Sequence, residues 1–174
     1  PLWAPARSGG GGGLARAAVA DVSGDPVIAG IGVFAANLSG QMVAIDGRSG
    51  RRGWLRTIGA TNPAWPVGAT LFVLDDDARL LRLASATGQT IWATQLQAYE
   101  DPDDRDEAIA YGGPVVAGGQ VFVTSSEGEL LVFDPATGAE TGRVPLPDGT
   151  STGPAVAGGT LYIVTDDARL VAFR

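Results

Sequence analysis

Three segments of the chain superimpose on a proline and an aromatic residue eight positions later. They are "PVIAGIGVF" (Pro26–Phe34), "PVVAGGQVF" (Pro114–Phe122) and "PAVAGGTLY" (Pro154–Tyr162). A fourth, "AWPVGATLF" (Ala64–Phe72), carries alanine at the proline position. The aromatics Phe34, Phe72, Phe122 and Tyr162 are therefore 38, 50 and 40 residues apart. A fixed period of about 40 residues marks an array of one repeated supersecondary unit, and any fold without internal repetition is excluded. The long interval holds its excess in one acidic insert, "AYEDPDDRDEA" (Ala98–Ala108), which reads as an exposed loop.

Within each unit the pattern predicts four short strands. Strand a is the proline segment, strand b ends near the aromatic, and strand c is the next apolar run ("QMVAI", "RLLRL", "ELLVF", "RLVAF"). Gly50, Gly88 and Gly138 then fall in register at a c–d turn, where glycine supplies a positive φ at low cost. Trp54 and Trp92 stand four residues after the first two glycines and open strand d, and Gly142 takes that place in the third unit. Period-2 alternation in strand c suits a strand packed on both faces by neighbouring sheets. Tryptophan at the start of strand d fills the space between sheets. Asp46 and Asp134, just before the turn, accept backbone hydrogen bonds in an Asx-type turn. Four strands per 40 residues, repeated, predict an all-β propeller of four-stranded antiparallel blades, about four of them. The boundaries are 1–25 (an outer strand of a preceding blade and a Gly-rich loop), 26–60, 61–108 with the insert, 109–150, and an incomplete last blade at 151–174. The 174 residues, 45% apolar with 26 glycines and 11 prolines, are compatible with such a core and its turns.

Charge and missing residue types narrow the chemistry. Nineteen acidic residues against twelve arginines give a net charge of −7, which opposes a nucleic-acid partner. There is no cysteine and no histidine, so thiolate chemistry and the usual general base are absent. "DDDAR" (Asp75–Arg79) and "TDDAR" (Thr165–Arg169) lack EF-hand spacing and read as b–c turns, and "SGGGGGLA" (Ser8–Ala15) lacks the GK(S/T) of a phosphate loop. No metal or cofactor site is expected. In the predicted meander, b–c turns and d–a connections share one face, and fifteen of the nineteen acidic residues map to it. That field favours encounter with a basic or polar protein surface.

"AIDGRSGRRGW" fits the tryptophan-docking repeat of quinoprotein-type propellers, with weaker copies in "LASATGQTIW" and "FDPATGAETG". "LARAAVADVSGDPVIAG" (Leu14–Gly30) and then "VFAANLSGQMVAIDGRSGRRGW", together with the order of the later elements, resemble the C-terminal half of the BamB family. These are propeller lipoproteins of the outer-membrane β-barrel assembly machinery. The resemblance implies half of an eight-bladed ring and a non-enzymatic scaffold at the periplasmic face of the bacterial outer membrane. It also implies that contact with the membrane is made only through an anchor outside this chain. The implied partner is the POTRA domains of the central barrel protein, contacted through the "DVxxxP" lead-in. Asp21 matches that motif, Ser23 replaces a second aspartate of some members, and Asp25 lies beside them. Other contacts of the family fall in its N-terminal half, so weak binding is expected. Trp3, like Trp54 and Trp92, occupies a blade-docking position, and Arg174 comes directly after the last strand c. A second copy completing an eight-bladed ring, or closure of the Trp3 strand onto its own chain, would each pair the open edges. A quinone-dependent dehydrogenase and a WD-type binding propeller are the competing readings. The first lacks a placeable base and calcium site, the second its Gly-His and Trp-Asp dipeptides.

Overall fold

The computed structural model describes residues 24–38 and 40–174. All regular structure among them is β. Sheet 1 consists of β1 (Val27–Ala29), β2 (Gly32–Asn37), β3 (Gln41–Asp46) and β4 (Arg52–Arg56) in that order. Sheet 2 holds β5 (Trp65–Val67), β6 (Thr70–Leu74), β7 (Arg79–Ala84) and β8 (Thr90–Gln95). After a two-stranded ribbon of β9 (Tyr99–Asp101) and β10 (Asp106–Ala108), sheet 3 runs through β11 (Tyr111–Ala117), β12 (Gln120–Ser125), β13 (Glu129–Phe133) and β14 (Glu140–Pro145). Sheet 4 has three strands, β15 (Ala155–Ala157), β16 (Thr160–Val164) and β17 (Leu170–Phe173). Each sheet is a meander in sequence order with no crossover. Short turns between short strands favour pairing of each strand with the next. The fold is a β-propeller.

Two compact units divide the chain, one of Pro1–Asp77 with Leu81–Ile91 and the other of Ala78–Leu80 with Trp92–Arg174. In the first, one face of sheet 1 (Phe34, Ala36, Met42, Ala44, Trp54) is buried in a common core with Leu71, Val73, Leu81 and Leu83 of sheet 2. The register explains the choice of face, because Val27, Phe34, Ala44 and Trp54 are cross-strand partners in a row running from β1 to β4. In the second unit, Leu130 packs with Leu161 and Ile163, flanked by Phe122, Val144 and Phe173. The corresponding row of sheet 3 is Val115, Phe122, Val132 and Gly142.

Three details depart from the expectations drawn from the sequence. The aromatic sits in the middle of strand b, because β2 runs on to Asn37 and β12 to Ser125, each three residues past its aromatic. Strand d starts two residues before its tryptophan, at Arg52 and Thr90. The acidic insert is a β-ribbon pairing Asp101 with Asp106 and Tyr99 with Ala108. Its turn is capped by Asp101, whose Oδ1 accepts from the backbone N–H groups of Asp103 (3.0 Å) and Asp104 (3.2 Å). Six carboxylates in eleven residues hide the strand signal, since acidic residues are poor strand formers and the ribbon has no buried face to leave an alternating apolar pattern.

Candidate functional site

The c–d turns and the tryptophans meet in pairs. The Trp54 indole N–H donates to the Ser85 carbonyl at 2.8 Å, in the turn between β7 and β8. The Trp92 N–H donates to the Pro135 carbonyl at 3.1 Å, in the turn between β13 and β14. Gly88 and Gly138 lie under the rings. A Cβ built on Gly88 would stand 2.8 Å from Trp54, and one on Gly138 would stand 2.6 Å from Trp92. Both glycines have positive φ, 66° and 75°, and donate back to residue i−4 of the turn. Gly50 has the same conformation (φ 70°) and donates to the Asp46 carbonyl.

Two contacts were not legible as motifs. The residue two beyond each tryptophan, on the same face of the strand, also reaches the neighbouring turn. Arg56 Nε donates to the Gly88 carbonyl (3.0 Å) and Thr94 Oγ1 to the Gly138 carbonyl (2.6 Å). The signal available was the shared offset in "WLR" and "WAT". In sheet 3 the two positions are Gly142 and Val144, neither of which offers a side-chain donor. A cavity of about 480 Å³ opens there, walled by Phe122, Val132 and Val144 on one side and Val156, Leu161 and Phe173 on the other.

Asp46 and Asp134 fasten their turns from outside. Asp46 Oδ1 accepts from the Ser49 N–H and hydroxyl, both at 2.7 Å, and Asp134 Oδ1 from the N–H groups of Ala136 and Thr137 and the Thr137 hydroxyl. Sheet 2 has Ala84 at this place and closes the turn without a carboxylate, through backbone bonds between Ala84 and Gly88 and Gln89 and a bond from the Gln89 N–H to Thr87 Oγ1. The carboxylate thus strengthens a turn that the glycine and backbone already form. The hydrogen bonds hold both groups below the ordinary carboxylate value of 3.8, led by the Ser49 hydroxyl for Asp46 and the Thr137 N–H for Asp134. A carboxylate depressed in the folded state adds stability above its unfolded pKa and loses it as pH falls through the folded value. On acidification below about pH 4, the wild type should therefore lose stability faster than an Asp46→Asn, Asp134→Asn double variant, a difference that acid titrations followed by circular dichroism will show.

In the second unit the acidic residues gather on turns and connections. The β-ribbon presents Glu100, Asp101, Asp104, Asp106 and Glu107 around a shallow exposed hollow. Glu100 faces Glu127 of the β12–β13 turn, and hydrogen bonding between the two carboxyls raises the Glu100 pKa. Backbone links hold these loops in place. Asp166 of the β16–β17 turn donates its N–H to the Gly149 carbonyl and accepts from the Ser151 N–H and hydroxyl at Oδ1. The Tyr111 hydroxyl donates to the Gln97 carbonyl at 2.8 Å, tying the ribbon to sheet 3, and burial pushes the phenol up to about 12. Among the described residues no group of three or more side chains is placed to hold a metal ion. Of the three residues expected to bind a partner, Asp21 and Ser23 lie outside the described residues, as does Trp3, and Asp25 is exposed just before β1.

The sequence matches the family model described as "Outer membrane protein assembly factor BamB" over residues 2–94 and 100–174. The chain belongs to that family. A curated member from Alkalilimnicola ehrlichii is 28% identical over 139 residues, covering 74% of this chain and 34% of its own length. This chain thus spans about a third of the relative it matches. Among solved structures, BamB from Moraxella catarrhalis is similar with a TM-score of 0.75 at 18% identity, over 87% of this chain and 43% of that one. A quinohemoprotein alcohol dehydrogenase from Comamonas testosteroni is similar with a TM-score of 0.64 at 17% identity, over 82% and 29%. Both likenesses speak to the fold alone. Family membership places the chain among proteins named for outer-membrane protein assembly.

Proposed function

We propose that this chain is a non-enzymatic scaffold segment of the outer-membrane β-barrel assembly machinery, held at the periplasmic face of the membrane in a protein anchored by a lipid outside this chain. Its loops are presented to the POTRA domains of the central barrel protein, with Asp21, Ser23 and Asp25 at the contact. Another copy of the chain is a second partner. The observation that carries the reading is the family match across nearly the whole chain. Two others support it. Asp25 is exposed, and the ribbon and turns of the second unit concentrate carboxylates where a basic or polar surface would meet them. The tryptophans and turn glycines serve the scaffold by fixing one sheet on the next. The dehydrogenase reading rests on fold likeness, and function cannot be inferred from fold.

Binding of this chain to purified POTRA domains, measured by interferometry at low and physiological salt, tests the proposal. Asp21→Arg should weaken binding about tenfold, corresponding to roughly 1.4 kcal/mol. Equal binding of wild type and variant would discard the site, and absence of any binding by the wild type would discard the partner.

A further inference from the structure

The β3–β4 turn of sheet 1 differs in charge from its copies. Arg48, Arg51 and Arg52 stand where sheet 2 has Ala86, Gln89 and Thr90, and where sheet 3 has Ala136, Ala139 and Glu140. The copies form the same turn around Gly88 and Gly138, so the fold does not ask for arginine here. All three arginines are exposed, and among the described residues none of them forms an ion pair with a carboxylate. Arg56 is different, because its guanidinium is spent on the Gly88 and Thr87 carbonyls. Nor does a docked neighbour hide these positions. Ala86, Gln89 and Thr90 are exposed with Trp54 bonded to their turn, and Ala136, Ala139 and Glu140 are exposed with Trp92 bonded to theirs.

An apolar residue is held beside the arginines. Gly47 donates its N–H to the Ile31 carbonyl at 2.7 Å, which ties the β1–β2 turn to the arginine turn. Ile31 is 62% exposed, whereas the other sheets have Ala69, Gly119 and Gly159 at that place. A lone exposed isoleucine is ordinary. Beside three arginines it makes the combination that a lipid–water boundary selects, an apolar group for the acyl region and cations for the phosphates. The one carboxylate of the turn, Asp46, is engaged by Ser49, and three arginines against one aspartate leave the turn cationic. The net charge of −7 does not cancel this. The other described carboxylates of the first unit are Asp25, before β1, and Asp75–Asp77, in the β6–β7 turn, at the opposite ends of their strands. A strand of six residues such as β3 is about 20 Å long. That is more than twice the screening length of about 8 Å at physiological salt.

We propose that this end of sheet 1 rests on a membrane surface of anionic phospholipid. Arg48, Arg51 and Arg52 meet the lipid phosphates, and the Ile31 side chain enters among the upper acyl carbons. An acidic protein segment would satisfy the arginines and leave Ile31 without a role. The contact goes beyond the scaffold reading, which brings the chain to the membrane only through an anchor outside it. POTRA binding and lipid binding use different residues, so either can fail while the other stands.

Co-sedimentation of the full chain with phosphatidylglycerol vesicles, at millimolar lipid and low salt, tests this against phosphatidylcholine vesicles and immobilised poly-glutamate. The chain should bind phosphatidylglycerol and not phosphatidylcholine, and binding should fall as salt rises. Arg48→Ala, Arg51→Gln and Arg52→Thr together give the turn the residues of sheet 2, so the β circular-dichroism spectrum should be kept. Binding should fall about tenfold or more, on a scale of roughly fivefold per arginine. Ile31→Ala, which copies Ala69, should weaken binding about threefold or more. A wild type that does not bind phosphatidylglycerol, or binds phosphatidylcholine equally, overturns the proposal. So does unchanged binding by the triple variant or by Ile31→Ala. Retention on poly-glutamate in preference to the vesicles, lost in the triple variant, would assign the arginines to an acidic protein segment and overturn it too.

Discussion

Replacing Trp54 with alanine should cost about 4 kcal/mol, the scale for deleting a buried large aromatic, and lower the melting temperature by on the order of 10 °C in a chain of this size. The ring is buried, fills the space between Phe34, at 6.0 Å between centroids, and the β7–β8 turn, and lies over Gly88. Alanine removes that volume, and because Gly88 carries no side chain, nothing on the facing turn can move in to refill it. The Ser85 carbonyl also loses its donor. Trp54→Phe separates the two contributions, since it keeps most of the apolar volume and loses only the hydrogen bond, worth about 1 kcal/mol. Trp92→Ala should be milder, because Trp92 is only half-buried. Urea unfolding of the three variants gives the ranking. A loss below about 1 kcal/mol for Trp54→Ala would mean that the sheets close over the gap and that the docking ring is dispensable.

Much of this was readable from the amino acids, for a physical reason. A repeat fixes its unit by superposition, so Gly50, Gly88 and Gly138 identified the turn and Trp54 and Trp92 identified the strand after it, with no single copy having to be unambiguous. The family resemblance rested on the order of the same elements. The features that stayed hidden belong to interactions with no period of their own. Arg56 and Thr94 differ in chemistry and share only an offset, so the hydrogen bonds to Gly88 and Gly138 could not be seen as one feature. The acidic ribbon has no buried face, and a strand without one gives no alternation to detect. Val164 and Leu170 are exposed, although their sequence is indistinguishable from that of a covered face. Partner recognition is less legible still, since Asp21 carries its assignment only through the family motif.

Gly138→Ala should destabilise the chain by about 3 kcal/mol, more than its single methyl suggests, because two costs coincide. A left-handed backbone at φ 75° costs an L-residue with a Cβ about 1–2 kcal/mol. The new Cβ would also sit 2.6 Å from the Trp92 ring, which must move and with it the 3.1 Å bond to Pro135. Gly118→Ala isolates the first cost, because Gly118 has φ 56° and nothing lies within 4 Å of its added Cβ. It should lose about 1–2 kcal/mol and no more. The second cost depends on the indole, so Gly138→Ala in a Trp92→Ala background should be cheaper than in the wild type by about 1 kcal/mol or more, a coupling of the size seen for residues in contact. Strict additivity of the two substitutions would show that the turn glycine is kept for its backbone alone, and that the tryptophan does not read its missing side chain.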